Sequence, residues 1–339
     1  MTQSRSRFSW FWLPLVCGVG ILTLTILSLV SHVAWYPYLE LLAHFKVQYL
    51  LGTLLLLIGV GWQRDRRWLW VALVCLGLQL SDLMPWFLSQ SWHPSPSSPE
   101  SPSLRILTAN LYYRNQNPHA LLDLIERESP DMVVVQEKTA QWMSQLAPIQ
   151  STFPYLEQAL DDLAIFSRIP IRDRTIFGTR NHSTLAVTLM LENTPLVVVA
   201  AHPPPPKPRL IAQRNLEFDW ITEFVQAQRS PLVLVGDLNT TMWSPYYQRL
   251  ERQTGLRNAR RGFGILPTWP APTPFSPIPI AVRWLKHLLW IPIDHVLVSP
   301  ELQVRSLRTG DNIDSDHLPL IADVRVPIMR KADGARVVP

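Results

Sequence analysis

Cysteine is almost missing from this chain. Only Cys17 and Cys75 occur in 339 residues, and no thiol follows Cys75. Both sit inside apolar runs, so the downstream region can hold neither a disulfide framework nor a thiolate metal centre. That scarcity does not define a compartment, because a domain of more than about two hundred residues builds a sufficient core without cross-links. Charge is scarce as well: charged residues make up 17% and hydrophobic residues 47%, a greasy balance for a soluble protein. No block of Lys or Arg occurs. The net charge of +5 therefore describes a mildly basic surface that would suit an anionic partner, rather than a polybasic tract.

The apolar excess lies before residue 92. Residues 11–33 contain no Lys, Arg, Asp or Glu and are long enough to cross ~30 Å of hydrocarbon. Residues 47–62 form a shorter run that extends back through Phe45, Leu42 and Leu41, with Lys46 able to snorkel. Residues 68–88 are interrupted only by Asp82 and Pro85. Tryptophans 10, 12, 35, 62, 68, 70 and 86 cluster at the edges of these runs, where amphipathic rings prefer to sit in a bilayer. A cleavable leader explains the first run but not the other two. The sequence thus predicts about three transmembrane helices, at 11–33, 43–62 and 68–88, within residues 1–92. Arg5 and Arg7 precede the first span, and Arg64, Arg66 and Arg67 separate the second from the third. Residues 90–99 carry no Lys or Arg. The positive-inside rule then predicts a multi-pass protein of the cell or inner membrane whose downstream domain is extracytoplasmic.

Residues 93–103 (HPSPSSPESPS) cannot pack a core and read as a semi-extended linker. Beyond it, apolar runs at 104–109, 132–135, 163–166, 186–191, 196–201, 232–235, 295–298 and 318–326 read as strands. Residues 120–127 and 213–228 have helical spacing. Many β-branched strands with few helices predict an α/β domain over 104–326, two stacked sheets with helices outside, before a tail at 327–339.

The strands repeatedly end in one polar residue. Residues 104–109 end at Asn110, and 132–135 at Glu137 after Gln136. Residues 196–201 end at His202, while 232–235 run through Gly236 into Asp237 and Asn239. Asp294 opens the run at 295–298, and Ser315 precedes Asp316 and His317. Turn chemistry explains any one of these alone, and a lone histidine is ordinarily a surface or satisfied residue. Their joint occurrence in order is what such explanations do not cover. Carboxylates and carboxamides meeting at one rim would make a hard-oxygen site for Mg2+ or Mn2+, with imidazoles beside it. Such an ion polarises a phosphoryl oxygen and shields its charge.

These motifs resemble the endonuclease/exonuclease/phosphatase superfamily, which includes deoxyribonucleases, abasic-site endonucleases, neutral sphingomyelinases and inositol polyphosphate phosphatases. The matching segments are ILTANL (106–111), VVVQEK (133–138), LAIFSRIPI (163–171), VVVAAH (197–202), LVLVGDLN (232–239), PTW (267–269), IDHVLVS (293–299) and SDHLPL (315–320). The resemblance implies a four-layer α/β sandwich with its site at one end of the sheets. It implies that Glu137, with Asn110, holds the metal, and that Asp316 serves as a metal or histidine-orienting carboxylate. Asp237 would orient or deprotonate the attacking water, Asn239 and His202 would contact the phosphate, and Asp294 would orient His317, which faces the phosphate. The implied reaction is in-line attack of water on a phosphodiester or monoester without a covalent enzyme intermediate.

One departure is Tyr112, which stands where some family nucleases have an aspartate two residues after the first-strand asparagine. Another is the apolar, Pro-rich segment 270–292. It reads either as a core helix burying Trp284, Leu285, Leu288 and Leu289, or as a flap on the bilayer with Arg283, Lys286 and His287 at headgroup level. Substrate class stays open. A nucleic acid would be met by a basic groove, for which Arg168, Arg172, Arg174 and Arg180 are candidates. A sphingomyelinase-like phospholipid diesterase would use the anchor and segment 270–292, and an inositol-phosphate phosphatase is a further alternative. The non-enzymatic alternative is a membrane scaffold, which has no use for a complete ligand set.

Overall fold

The computed structural model describes residues 12–33, 37–63, 66–88, 101–159, 162–179, 182–277, 279, 285–286 and 288–327. The linker before residue 101, the tail after 327, and Arg5, Arg7, Arg64, Arg180, Arg283, Trp284 and His287 lie outside these residues. The N-terminal runs fold as helices α1 (Leu13–Val30), α2 (Glu40–Ala43), α3 (Lys46–Gln63) and α4 (Arg66–Leu83). Cys17, Ile21, Val60, Ala72 and Cys75 form their common core, and both thiols are free.

Of the three expected spans, two are long and apolar enough to cross a membrane: α1 and the run Arg66–Trp86. Lys46–Trp62 falls short of that length. Lys46 does not snorkel. Its buried ammonium donates to the Ser28 carbonyl at 2.6 Å, Ser28 Oγ at 3.0 Å and Asp82 Oδ2 at 2.8 Å, and lies 3.0 Å from His32 Nε2. A buried ammonium needs a carboxylate and acceptors around it, and three separate helical turns supply them.

The part of the chain after residue 101 is built on alternation. In strand β1 (Ser103–Asn110), Leu104 and Ile106 face one way and Leu107 and Ala109 the other, as the two-residue period requires. One six-stranded sheet runs β11 (Gln303–Thr309), β12 (Leu320–Arg325), β1, β2 (Met132–Gln136), β4 (Ala164–Ser167), β3 (Tyr155–Gln158). The other runs β5 (Ile171–Thr179), β6 (His182–Leu191), β7 (Thr194–Ala200), β8 (Leu232–Asp237), β10 (Asp294–Val298), β9 (Arg257–Asn258). The sheets pack face to face through Ile106, Val134, Val187, Val198, Val235 and Val296. Helices α5 (His119–Glu128) and α6 (Ala140–Leu146) cover the outer face of the first sheet through Leu121, Leu124 and Trp142. Helices α7 (Ile211–Ala227) and α8 (Pro245–Thr254) cover the second through Phe218, Ile221 and Tyr247. Four layers result, as expected.

Strands β3, β5, β9 and β11 and helices α6 and α8 have no counterpart in the sequence reading. Strand β5 is exposed along most of its length, so it lacks the apolar alternation that marks a half-buried strand. Segment 270–292 contains no α-helix among its described residues, and Leu285, Leu288 and Leu289 are exposed instead of packed inward.

The helical bundle is bonded to the outer layer of the second sheet. Ala43, Leu83 and Trp86 share a core cluster with Phe218, Trp243 and Tyr247. The carboxylate of Glu40, fully buried, accepts from both terminal nitrogens of Arg214 (2.8 and 2.5 Å), from Thr240 Oγ1 (3.1 Å) and from Ser244 Oγ (2.6 Å). Trp243 Nε1 donates to the Asp82 carbonyl, and the Trp86 carbonyl accepts from the amides of Gly262 and Gly264.

Candidate active site

The inward-facing row of each central strand, apolar through the core, turns polar on reaching one rim. Leu104 and Ile106 lead to Asn110; Leu196, Val198 and Ala200 lead to His202; Val233 and Val235 lead to Asp237. Strand β10 runs antiparallel to β8, with Asp294 opposite Asp237, so its own inward row of Val298 and Val296 ends at Asp294. Strand β12 likewise starts beside the end of β1, with Leu320 opposite Thr108, which brings the preceding turn and His317 to the same rim. Ser315 Oγ fastens that turn by donating to the Asn110 carbonyl at 2.7 Å and accepting from the His317 amide at 3.1 Å.

Asp237 is the centre of the cluster. Its Oδ1 accepts from the Asn239 amide at 2.8 Å and its Oδ2 from Asn110 Nδ2 at 3.1 Å. His202 Nε2 and His317 Nε2 face the same Oδ2 at 3.5 and 3.7 Å. Each imidazole is backed by a second carboxylate: His202 Nδ1 lies 2.5 Å from Asp162 Oδ2, and His317 Nδ1 lies 2.9 Å from Asp294 Oδ2. Burial opposes charge on both rings, but the carboxylates outweigh it and raise both pKa values, that of His317 to about 10. Burial also opposes charge on Asp237, yet His317, His202 and the Asn239 amide hold its pKa below the ordinary carboxylate value. The arrangement is a buried carboxylate between two imidazoles, each backed by a second carboxylate.

Glu137 and Asn239 both adopt positive φ, 56° and 51°, a conformation uncommon outside glycine that the turns following their strands impose. Glu137 Oε1 accepts from Asn110 Nδ2 at 3.2 Å and Oε2 from the Tyr113 amide at 2.9 Å. Asn239 Nδ2 donates to the Pro203 carbonyl at 3.0 Å. Gly236 has φ 140°, and a Cβ there would stand 2.1 Å from the Ala201 carbonyl oxygen. We expect Gly236→Ala to destabilise the protein by at least about 2 kcal/mol in thermal unfolding, from backbone strain and steric overlap together.

Asp316 Oδ2 accepts from Trp269 Nε1 at 3.3 Å, whereas its Oδ1 is buried with no hydrogen-bond partner. Burial foremost, then the nearby negative Glu137, raises the Asp316 pKa. A dry, unpartnered carboxylate oxygen beside further carboxylates is what a hard cation satisfies, so Asp316, Glu137 and Asn110 fit Mg2+ or Mn2+. Asp237, Asp294 and His317 also offer ligand atoms within 4.8 Å of one another. His317, however, has its Nδ1 committed to Asp294 and its pKa raised by the surrounding carboxylates, which suits donation to phosphate better than ligation.

All eight expected residues, Asn110, Glu137, His202, Asp237, Asn239, Asp294, Asp316 and His317, lie along this rim. Asp162 escaped the sequence reading, since an aspartate before a strand carries no distinguishing signal. Thr268 did too: its Oγ1 accepts from the Ile293 and Asp294 amides. Of the basic candidates for a nucleic-acid groove, Arg174 is paired with Glu157, Arg172 lies beside Asp173, and Arg168 covers the Phe153 ring.

Two stacked mixed sheets carrying an acid–imidazole cluster at one rim define the class of phosphate-ester hydrolases to which the sequence motifs pointed. Residues 107–317 match the model of the Endonuclease/Exonuclease/phosphatase family, more than half of the chain, and the chain belongs to that family. No curated protein matches it in sequence. Among solved structures it is similar to an endonuclease/exonuclease/phosphatase from Beutenbergia cavernae DSM 12333, with 21% identity, TM-score 0.51, and coverage of 66% of this chain and 72% of that one. It is also similar to D. rerio TDP2 complexed with single strand DNA product, with 14% identity, TM-score 0.54, and coverage of 66% and 99%. Sphingomyelinase C from Streptomyces griseocarneus matches with 18% identity, TM-score 0.48, and coverage of 66% and 99%. At these identities the likeness is one of fold.

Proposed function

We propose that this protein is a membrane-anchored, divalent-metal-dependent phosphoesterase that hydrolyses phosphodiester or phosphomonoester bonds by attack of water. The observation that carries the proposal is Asp237, buried between two carboxylate-backed imidazole rings at the end of the sheets. Asp237 orients the attacking water and receives its proton. His317 and His202 donate from Nε2 to the phosphoryl oxygens, and Asp294 and Asp162 fix the orientation of those rings. Asn239 retains one amide N–H for the phosphate while the other is bonded to Pro203. Glu137, Asn110 and Asp316 hold the ion, which when bound supplies Lewis-acid polarisation and charge shielding. An intact set of this kind weighs against a purely structural scaffold.

The anchor of the proposal is the N-terminal bundle, with the bilayer as its partner and the catalytic domain on the extracytoplasmic side, on the strength of Arg66 and Arg67 at the start of the candidate span Arg66–Trp86, which directly precedes that domain. Two measurements test these statements. Chelation should abolish turnover of bis(4-nitrophenyl) phosphate, and added Mg2+ or Mn2+ should restore it; activity indifferent to chelator would remove the metal from the scheme. A reporter fused after Val326 that is active only in the cytoplasm would reverse the orientation.

A further inference from the structure

A cavity of about 450 Å3 lies between α3 and the loop that leads to the active site, lined by Val47, Leu51, Ile265, Pro267, Leu288 and Trp290. Its size falls within the roughly 300–1,000 Å3 of small-ligand sites, but no cation or carboxylate among the described residues lines it. We propose that this cavity holds the hydrocarbon chain of a membrane-resident phosphate ester while the phosphate occupies the rim around Asp237. The proposal rests on the phosphoesterase reading and names its substrate class.

Two continuities select this occupant. On one side, Leu51 is 59% exposed and begins a stripe on α3 that continues through Leu54, Leu55 and Ile58, while Leu288 at the other lip is 58% exposed beside exposed Leu285 and Leu289. A mouth rimmed by apolar side chains and opening along an apolar helix face suits a chain arriving from a bilayer. On the other side, the wall of the cavity becomes the wall of the active site. Trp269 and Ile291 form a bridge, the Thr268 amide donates to the Ile291 carbonyl, and Trp290 Nε1 donates to the Pro270 carbonyl. From Pro267 the chain reaches Trp269, which bonds Asp316; from Trp290 it reaches Asp294. Four residues of extended chain span at most about 13 Å, so cavity and rim lie within the reach of one lipid molecule. Gln48 Nε2 donates to the Trp290 carbonyl and fixes α3 against this wall.

In the reaction implied, the oxygen of water bonds to phosphorus and one ester P–O bond breaks. One proton of the water passes by way of Asp237 to the leaving oxygen or to solvent, and the other stays on the new phosphate oxygen or is released from it to solvent.

Two chromogenic diesters differing only in the tail provide the test: dodecyl 4-nitrophenyl phosphate and methyl 4-nitrophenyl phosphate, with the full-length chain held in amphipol. We expect kcat/KM for the dodecyl ester to exceed that for the methyl ester at least about tenfold, since burying about two methylenes suffices for that ratio. Leu288→Glu and Leu51→Trp should collapse the ratio towards unity, and Leu288→Met should retain it. Equal kcat/KM values for the two esters, or a ratio untouched by both cavity variants, would overturn the proposal, as would a single-stranded DNA substrate turned over faster than the dodecyl ester. Should neither ester be hydrolysed, calorimetric titration with dodecyl phosphate decides the cavity alone, and the phosphoesterase reading itself has failed if 4-nitrophenyl phosphate is not hydrolysed either. Saturable binding that Leu288→Glu weakens at least about tenfold supports it, and no binding refutes it.

Discussion

Replacing Asp237 by asparagine is expected to lower kcat/KM on bis(4-nitrophenyl) phosphate by about 10^2- to 10^4-fold, the range associated with a positioned proton-transfer group. The amide keeps the shape of the carboxylate, and its oxygen still accepts from the Asn239 amide. What it loses is the charge between His202 and His317. Both rings would then be less readily protonated, since Asp237 is one of the groups that raises their pKa values. The substitution therefore removes the water's partner and weakens two phosphate donors together. Steady-state kinetics on the full chain, beside a thermal melt showing the fold retained, would measure this. A variant that folds and keeps activity within about tenfold of the parent would place the proton acceptor elsewhere.

Removing Glu40 is expected to have the largest effect on stability. Its carboxylate and the Arg214 guanidinium are both wholly buried, and Glu40 also accepts from Thr240 and Ser244. Glu40→Ala leaves a buried guanidinium with only Asn215 Oδ1 as a side-chain acceptor, together with hydroxyls lacking an acceptor. Breaking one partner of a buried pair costs about 3–5 kcal/mol. For a chain of this size that lowers Tm by about 4–7 °C. Replacing both members with apolar residues, Glu40→Leu with Arg214→Met, should recover much of the loss, because the penalty comes from the stranded charge. A single substitution that leaves Tm unchanged would mean that the helices do not sit against α7 and the 240–244 turn as described.

The rim was legible in the sequence for a physical reason. Strand alternation continues past the last apolar residue, so Asn110, His202 and Asp237 occupy positions that the inward row had already assigned. Gly236 interrupts the apolar run just before Asp237, and its backbone lies against Ala201. The pairings were another matter. Asp162 stands 40 residues from His202, and Glu40 stands 174 residues from Arg214. Periodicity carries no information about contacts at such separations. Lys46 misled in the same way: on the sequence alone a lysine near the end of an apolar run points outward, but Ser28 and Asp82, 18 and 36 residues away, give it an interior. Strand β5 stayed hidden because neither of its faces is apolar enough to show a period.

The contact between Glu40 and the turn at Thr240 also governs how the molecule should come apart. Thr240 and Thr241, held by Glu40 and by His44, directly follow Asn239 in the chain. Loosening the helices should thus disturb the hydrolytic centre at the same temperature, so that calorimetry of the full chain shows one endotherm with loss of turnover coincident with it. Two resolved melting events would instead mean that anchor and hydrolase are separable bodies.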